Sequence, residues 1–283
     1  MTDNRFSIGL TEGIGFGPRM ISVLSGKGGV GKSVIAFNLA HQIGLSGRRV
    51  LLVDADFSCG NLHILANVAA EYGVMEFATG KLSLAEAVTR CAHSVDLLAA
   101  ANGGVTNVDT SLVSTLAARL RHQAGNYDLI ILDHGSGVSD PATVLAHASD
   151  LNVLVLIPEL TSIADCYGLV KYLYNANANI DCRLLVNRVL SDDEAEYVQT
   201  KFAATAERFL RRVPGFLGHV PEDIDVRRSV GSQRPVIDIN SQALVVQALT
   251  RVMPAVTGPA VDTAPVNRIE TINNEPATAD IWG

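Results

Sequence analysis

Cysteine is scarce in this chain: Cys59, Cys91, Cys166 and Cys182 are the four present in 283 residues, and no two of them form a C-x-x-C pair. Thiols so far apart offer neither a disulfide framework nor a zinc site, and suit small apolar fillers in a reducing compartment. His63, His93, His122 and His219 show no metal-ligand spacing, so each reads as a surface or packing residue. Positive charge is also short. Lys and Arg number 22 against 29 Asp and Glu, a net charge of −7, which argues against a nucleic-acid surface spread over the whole body. The first residues lack the basic-then-apolar pattern of a secretory signal. Apolar runs such as Leu151–Ile157 have strand length, well short of the roughly 20 residues that cross a bilayer. The expectation is a soluble, cytoplasmic protein, with peripheral attachment to the inner face of the membrane left open.

What is present is apolar residue in quantity, 48% of the chain, enough for one sizeable core. No internal repeat and no break in composition divides residues 20–256, which read as one domain after an N-terminal extension, 1–19. From Thr257 the chain becomes rich in Pro, Thr, Asn and Glu and carries Asp262, Glu270, Glu275 and Asp280 against Arg268. That is the composition of a disordered acidic tail, 257–283. Its Ile281-Trp282 reads as a solvated end or a small docking element.

Inside the domain, short apolar runs alternate with longer helical stretches. The runs are Met20–Leu24, Arg49–Val53, Val95–Ala99, Leu129–Leu132, Asn152–Ile157, Arg183–Val186 and Phe216–Val220. Ser33–Leu45, Ser111–Arg121 and residues 237–253 have helical spacing. This alternation predicts an α/β fold: a single doubly wound, mostly parallel sheet with helices on both faces. Four runs end in turns with chemistry: Ser25-Gly26, Asp54-Ala55-Asp56, Asp133-His134-Gly135 and Asn187-Arg188. Ligands of open α/β sheets bind beyond the carboxyl ends of the strands, so these turns should converge on one crevice.

Gly26-Lys27-Gly28-Gly29-Val30-Gly31-Lys32-Ser33 satisfies G-x-x-x-x-G-K-[ST] between a strand-like and a helix-like segment. Glycines let main-chain N–H groups approach phosphate oxygens, and the following helix turns its positive end to the same anion. Lys32 can reach the β- and γ-phosphates, and the Ser33 hydroxyl can ligate Mg²⁺. ATP and Mg²⁺ are the cofactors this loop implies. With the phosphate-type loop upstream, Asp54 and Asp56 read as functional carboxylates of the site, the alternative being a pair that caps the next turn. Asp133 ends an apolar strand where a magnesium-facing acid is needed. Asn187 can hydrogen-bond an adenine edge or simply end its strand in a turn.

The second lysine, Lys27, makes the loop resemble the deviant Walker A box of the MinD/ParA family. The likeness continues through Leu51-Leu52-Val53-Asp54-Ala55-Asp56 and Gly60-Asn61-Leu62, through Tyr127–Asp133, and through Pro158-Glu159, Thr161-Ser162-Ile163 and Asp165. Leu185-Val186-Asn187-Arg188 and Gly218–Asp223 complete it. The resemblance implies a Mg-dependent ATPase whose homodimer closes around two ATP molecules. Lys27 would reach the partner's phosphates, Lys32 its own, and Asp56 would hold the attacking water. Asp54 and Asp133 would sit near Mg²⁺, Pro221 and Glu222 would line the base pocket with backbone, and Glu159 and Asp165 would face the dimer.

Within that family the segments Asp133–Ser139, Pro158–Tyr167, Val226–Val230 and Gln233-Arg234-Pro235 are similar to the FlhG regulators of flagellar number and placement. His134 stands where those switches usually have Thr or Ser, and His63 where Asp is usual. The likeness implies an ATP-timed switch read by a protein partner, an FlhF-like GTPase or a flagellar component. The segment with which that group activates its GTPase is not seen in residues 1–19, nor is a basic amphipathic membrane anchor in the tail. The alternative is a ParA-type DNA partition ATPase. That reading needs a basic stripe, for which Arg183, Arg188, Arg211, Arg212, Arg227, Arg228 and Arg234 are the candidates. A nitrogenase-type reductase would need cluster cysteines near the second switch, and none lies between Cys91 and Cys166.

Overall fold

The computed structural model describes residues 17–100 and 108–258, so the expectations for the extension and the tail fall almost wholly outside the described residues. Eight strands form one sheet: β1 (Arg19–Ser25), β2 (Val50–Ala55), β3 (Thr89–Arg90), β4 (Val95–Leu98), β5 (Leu129–Ser136), β6 (Leu151–Leu156), β7 (Cys182–Val189) and β8 (Gly215–Pro221). Their order across the sheet is β3-β4-β2-β5-β1-β6-β7-β8. Only the β3–β4 pair is antiparallel; the remaining pairs run parallel, so their carboxyl ends share one edge. All seven apolar runs are strands, as expected. The two-residue β3 is too short to leave a periodic signal.

Strand residues are buried on both sides because helices cover both faces. Alternation along each strand decides which layer a side chain enters. Ile21, Val23, Val50, Leu52, Ile131, Val153 and Leu185 point into one core. This core is closed by α1 (Lys32–Leu45), α2 (Leu62–Leu65), α9 (Ile224–Ser232), α10 (Val236–Ile239) and α11 (Leu244–Thr257). The opposite face has two clusters. Met20, Leu51, Val53, Ile130 and Leu132 pack beneath α3 (Val74–Ala78), α4 (Leu84–Ala87) and α5 (Thr110–Gln123). Leu24, Leu154, Leu184 and Val186 pack beneath α6 (Asp140–Ala148), α7 (Leu160–Ala176) and α8 (Asp192–Leu210).

Helix starts follow local chemistry. Ser191 caps α8 by accepting from the Glu194 N–H at 3.2 Å, with Asp192, Asp193 and Glu194 in the first turn. Ser139 caps α6 in the same way through the Ala142 N–H at 3.3 Å. By contrast α1 follows Gly31 with no side-chain cap, so its first N–H groups are free for another acceptor.

One expectation needs correction. The single helix read over residues 237–253 is broken into α10 and α11. Asn240 ends α10 in extended backbone at φ −150°. Its Nδ2 donates to Asp225 Oδ2 at 2.7 Å and its Oδ1 accepts from the Gln242 N–H at 3.0 Å. A side chain that competes this well for neighbouring polar groups ends a helix whatever the apolar spacing.

Phe202 of α8 is fully buried in the α6–α8 layer, edge-on to Tyr167 at 6.5 Å between ring centroids. Phe202→Ala is expected to cost about 3–5 kcal/mol. Urea unfolding should show this as a lower midpoint at unchanged slope.

Candidate functional site

The four turns do converge. The phosphate-type loop leaves β1 and enters α1, with Gly29 at φ 79° and Gly31 at φ 88°, a left-handed backbone that glycine adopts without strain. Two close approaches fix it in place. A Cβ on Gly26 would overlap the Asp165 backbone of α7, and one on Gly31 would overlap the Asn187 amide. Asn187 is buried at the end of β7, and its Nδ2 donates to the Val30 carbonyl at 2.8 Å. Its side chain therefore braces the loop from below, leaving Oδ1 and one N–H for other partners.

Lys32 is 8% exposed and its Nζ donates to Asp133 Oδ1 at 2.6 Å and to Ser33 Oγ at 3.3 Å. Burial pushes the Asp133 carboxyl up, against the pull of the Lys32 ammonium and the Ser33 hydroxyl. Asp54 is fully buried. It accepts the Asp56 N–H on Oδ1 at 3.2 Å and the Leu62 N–H on Oδ2 at 3.1 Å. Burial, with the nearby Asp133 and Asp56 charges, raises it to about 7, although the Leu62 and Asp56 N–H groups oppose the shift. Asp56 Oδ1 accepts from the Ser58 N–H and hydroxyl and the Cys59 N–H at 2.9–3.3 Å. Both carboxylates thus cap their turn, and Asp56 also lines the cleft beside the loop.

Two adjoining clefts, about 310 Å³ each, share Gly29, Gly31 and Val34. One is lined by Ser25, Lys32, Ser33, Asp56 and Ser136, polar groups suited to phosphate. The other is lined by Val34, Val226 and Val245 with Asn187, Pro221 and Glu222, a more enclosed and more apolar slot of the kind a base fills. Arg188 at its rim has φ 59° and donates from Nε to Glu222 Oε2 at 2.6 Å. At the mouth, Lys27 Nζ donates to Glu159 Oε2 at 2.7 Å and Thr161 Oγ1 at 2.9 Å. Lys27 and Glu159 are thereby brought together within one chain, and Asp165 meets the same loop through its backbone at Gly26.

No group of three His, Cys, Asp or Glu among the described residues can hold a metal ion alone. The donors present are the Ser33 hydroxyl with the Asp54 and Asp133 carboxylates beside a phosphate-type loop. That set fits Mg²⁺, which binds through one or two carboxylates, waters and substrate phosphates.

Four contributors were not foreseen as site residues. Ser136 faces Gly28 across the phosphate cleft, and Thr161 holds Lys27; both lie inside motifs already noted, so their hydroxyls were the available signal. Val226, at the start of the noted segment Val226–Val230, and Val245 wall the more apolar cleft from elements distant in sequence, and nothing in the sequence marks either as facing it.

Residues 21–236 match the family model for the CobQ/CobB/MinD/ParA nucleotide binding domain. The chain is 30% identical over 222 residues to the antiactivator FleN of Pseudomonas aeruginosa, covering 78% of this chain and 79% of FleN. It is 24% identical over 237 residues to the flagellum site-determining protein YlxH of Helicobacter pylori, covering 83% of this chain and 80% of YlxH. Among solved structures, the septum site-determining protein MinD of Pyrococcus horikoshii, complexed with Mg-ADP, superposes with a TM-score of 0.70 at 24% identity. That match covers 84% of this chain and 96% of the other.

Asp54 sets a pH test. The folded chain holds this proton up to about pH 7, whereas the unfolded value is 3.8. Its contribution to stability is therefore full below that unfolded value and is lost as pH rises through the folded one. Without nucleotide or magnesium, the Tm of Asp54→Asn minus that of wild type should grow between about pH 4 and 8. A difference independent of pH would contradict the burial assigned to this carboxylate.

Proposed function

The chain belongs to the CobQ/CobB/MinD/ParA nucleotide-binding family, and we propose that it is a Mg-dependent ATPase working as a dimerisation switch that positions or counts a cellular structure, the flagellum. One observation carries this reading. A glycine loop, a buried lysine on a buried aspartate, and a second lysine at the mouth all meet at one edge of the sheet.

In the proposed cycle the backbone N–H groups of Gly26–Ser33 and the open end of α1 receive the phosphates. Lys32 exchanges Asp133 for phosphate oxygens, because a triphosphate offers more negative charge than a single carboxylate. Ser33, Asp54 and Asp133 would hold Mg²⁺, which supplies charge neutralisation on the phosphates when bound. Asp56 orients the attacking water, and phosphoryl transfer asks for little more than such placement and charge. Asn187, Pro221 and Glu222 line the base slot.

Dimerisation brings Lys27 from Glu159 and Thr161 to the partner's phosphates, with Glu159 and Asp165 on the joining face. Val138, Leu160 and Leu190 are exposed at the carboxyl ends of β5, β6 and β7 and offer that face apolar contact. Residues 20–256 act as the ATPase unit, and residues 1–19 and 257–283 flank it. The output is contact with a protein partner, an FlhF-like GTPase or a flagellar component, on the cytoplasmic side. FleN and YlxH, by their names, are relatives in regulation and in flagellum site determination.

The ParA-type alternative is less well supported. Of the arginines that a basic stripe would use, Arg183 is paired with Asp181, Arg188 with Glu222 and Arg228 with Asp225 at 2.6–2.8 Å. Carboxylates interleaved in this way cancel the field that phosphate backbones need. No described helix is long and apolar enough to cross a membrane, and α11 spends its apolar residues on the core.

Lys32→Ala should abolish measurable ATP binding, since the charge partner of the phosphates disappears. Asp56→Ala should bind ATP and accumulate as a dimer, because hydrolysis no longer resets the switch. Size-exclusion chromatography with ATP and magnesium reads the second outcome, and a strictly monomeric Asp56→Ala protein would overturn the proposed cycle.

A further inference from the structure

His134 has no task in the cycle above, yet its side chain is fully buried near the C-terminal end of α6. Its Nε2 lies 2.8 Å from Ser22 Oγ, and Ser22 Oγ lies 2.8 Å from Ser149 Oγ. Ser149 in turn donates to the Leu145 carbonyl at 2.8 Å. That last acceptor fixes the direction of the whole chain, because a carbonyl has no proton to give. The single hydroxyl proton of Ser149 is committed to Leu145, so Ser149 Oγ must accept from Ser22. The single proton of Ser22 is then committed as well, so Ser22 Oγ must accept from His134 Nε2–H. The ring is therefore the Nε2–H tautomer, and Nδ1 is left as a buried acceptor without a partner among the described residues.

The positions of the three residues give this chain a purpose. His134 lies in a bulge of β5: Val23 pairs with Asp133, but Ser25 pairs with Ser136, so β5 carries an extra residue against β1. Bulges re-aim the residues that follow them. Here the Gly137 N–H then donates to the Ser25 carbonyl at 2.9 Å, and Gly135 and Ser136 are delivered to Asp56 and Gly28 respectively. Ser149, at the other end, is the C-cap of α6. The two ends of segment 135–148 are thus tied to one residue of β1, Ser22.

We propose that His134 is a positioning residue that, by donating from Nε2 to Ser22, staples the turn 135–139 and α6 to β1 and so holds Gly135 and Ser136 against the phosphate cleft. The role rests on the ATPase reading. It acts on turnover more than on affinity, since the P-loop itself is braced separately by Asn187 and α7.

The test compares His134→Gln, whose amide N–H keeps a donor, with His134→Leu, which fills similar space without one. Hydrogen exchange of residues 135–149, measured without nucleotide, should be about tenfold faster in His134→Leu and near wild type in His134→Gln. Steady-state ATPase of His134→Leu should lose about tenfold in kcat with KM changed by less than about twofold, while His134→Gln recovers most of kcat. Ser22→Ala, which carries the test should His134→Leu fail to fold, should match the Leu variant. Wild-type exchange and kcat in His134→Leu or Ser22→Ala, or a Gln variant as impaired as Leu, would overturn the role alone. A wild-type protein without ATP turnover would overturn the ATPase reading and this role with it.

Discussion

The site is organised around one buried ion pair, Lys32 with Asp133 at 2.6 Å. Neither charge would tolerate that depth alone, because removing one partner of a buried pair leaves an uncompensated charge costing several kcal/mol, roughly 3–5. The pair therefore demands that β5 and the start of α1 stay in register, which the β1–β5 ladder secures. It also prepares a replacement. In the proposed cycle a ligand that gives Lys32 a better anion would free Asp133 for a cation, so nucleotide and metal would enter as a coupled set.

The constraints around that pair are steric as much as electrostatic. Gly26 rests on the backbone of α7 and Gly31 on the Asn187 amide, so the loop is held by neighbours on both sides. Asp54 and Asp56 spend part of their hydrogen-bonding capacity on the turn after β2. Movement of either carboxylate toward a magnesium shell would be felt in residues 56–62. The polar chain from His134 through Ser22 to Ser149 extends the same coupling into α6 on the opposite side. Loop, turn and helix thus share mechanical supports, the arrangement a nucleotide-dependent switch requires.

Much of this was legible in the sequence because its signals are local. Alternating apolar runs fix the strands, and the glycine spacing before Lys32-Ser33 fixes the loop. Strand ends at Asp54, Asp133 and Asn187 meet because parallel strands must end on one edge. The unread features depend on partners remote in sequence. The helix expected over 237–253 is broken by Asn240, whose Nδ2 reaches Asp225. Lys27 is engaged by Glu159 and Thr161, more than a hundred residues away. His134 looked like a departure from a family switch; that it donates to Ser22 required the geometry of β1 beneath α6.

The central claim is that residues 26–33 wrap a triphosphate, and calorimetric titration of ATP with magnesium into the wild-type protein addresses it most directly. The account predicts saturable binding at one site per chain, weakened when magnesium is withheld. Absence of any saturable heat or competition with ATP and ADP alike would contradict it.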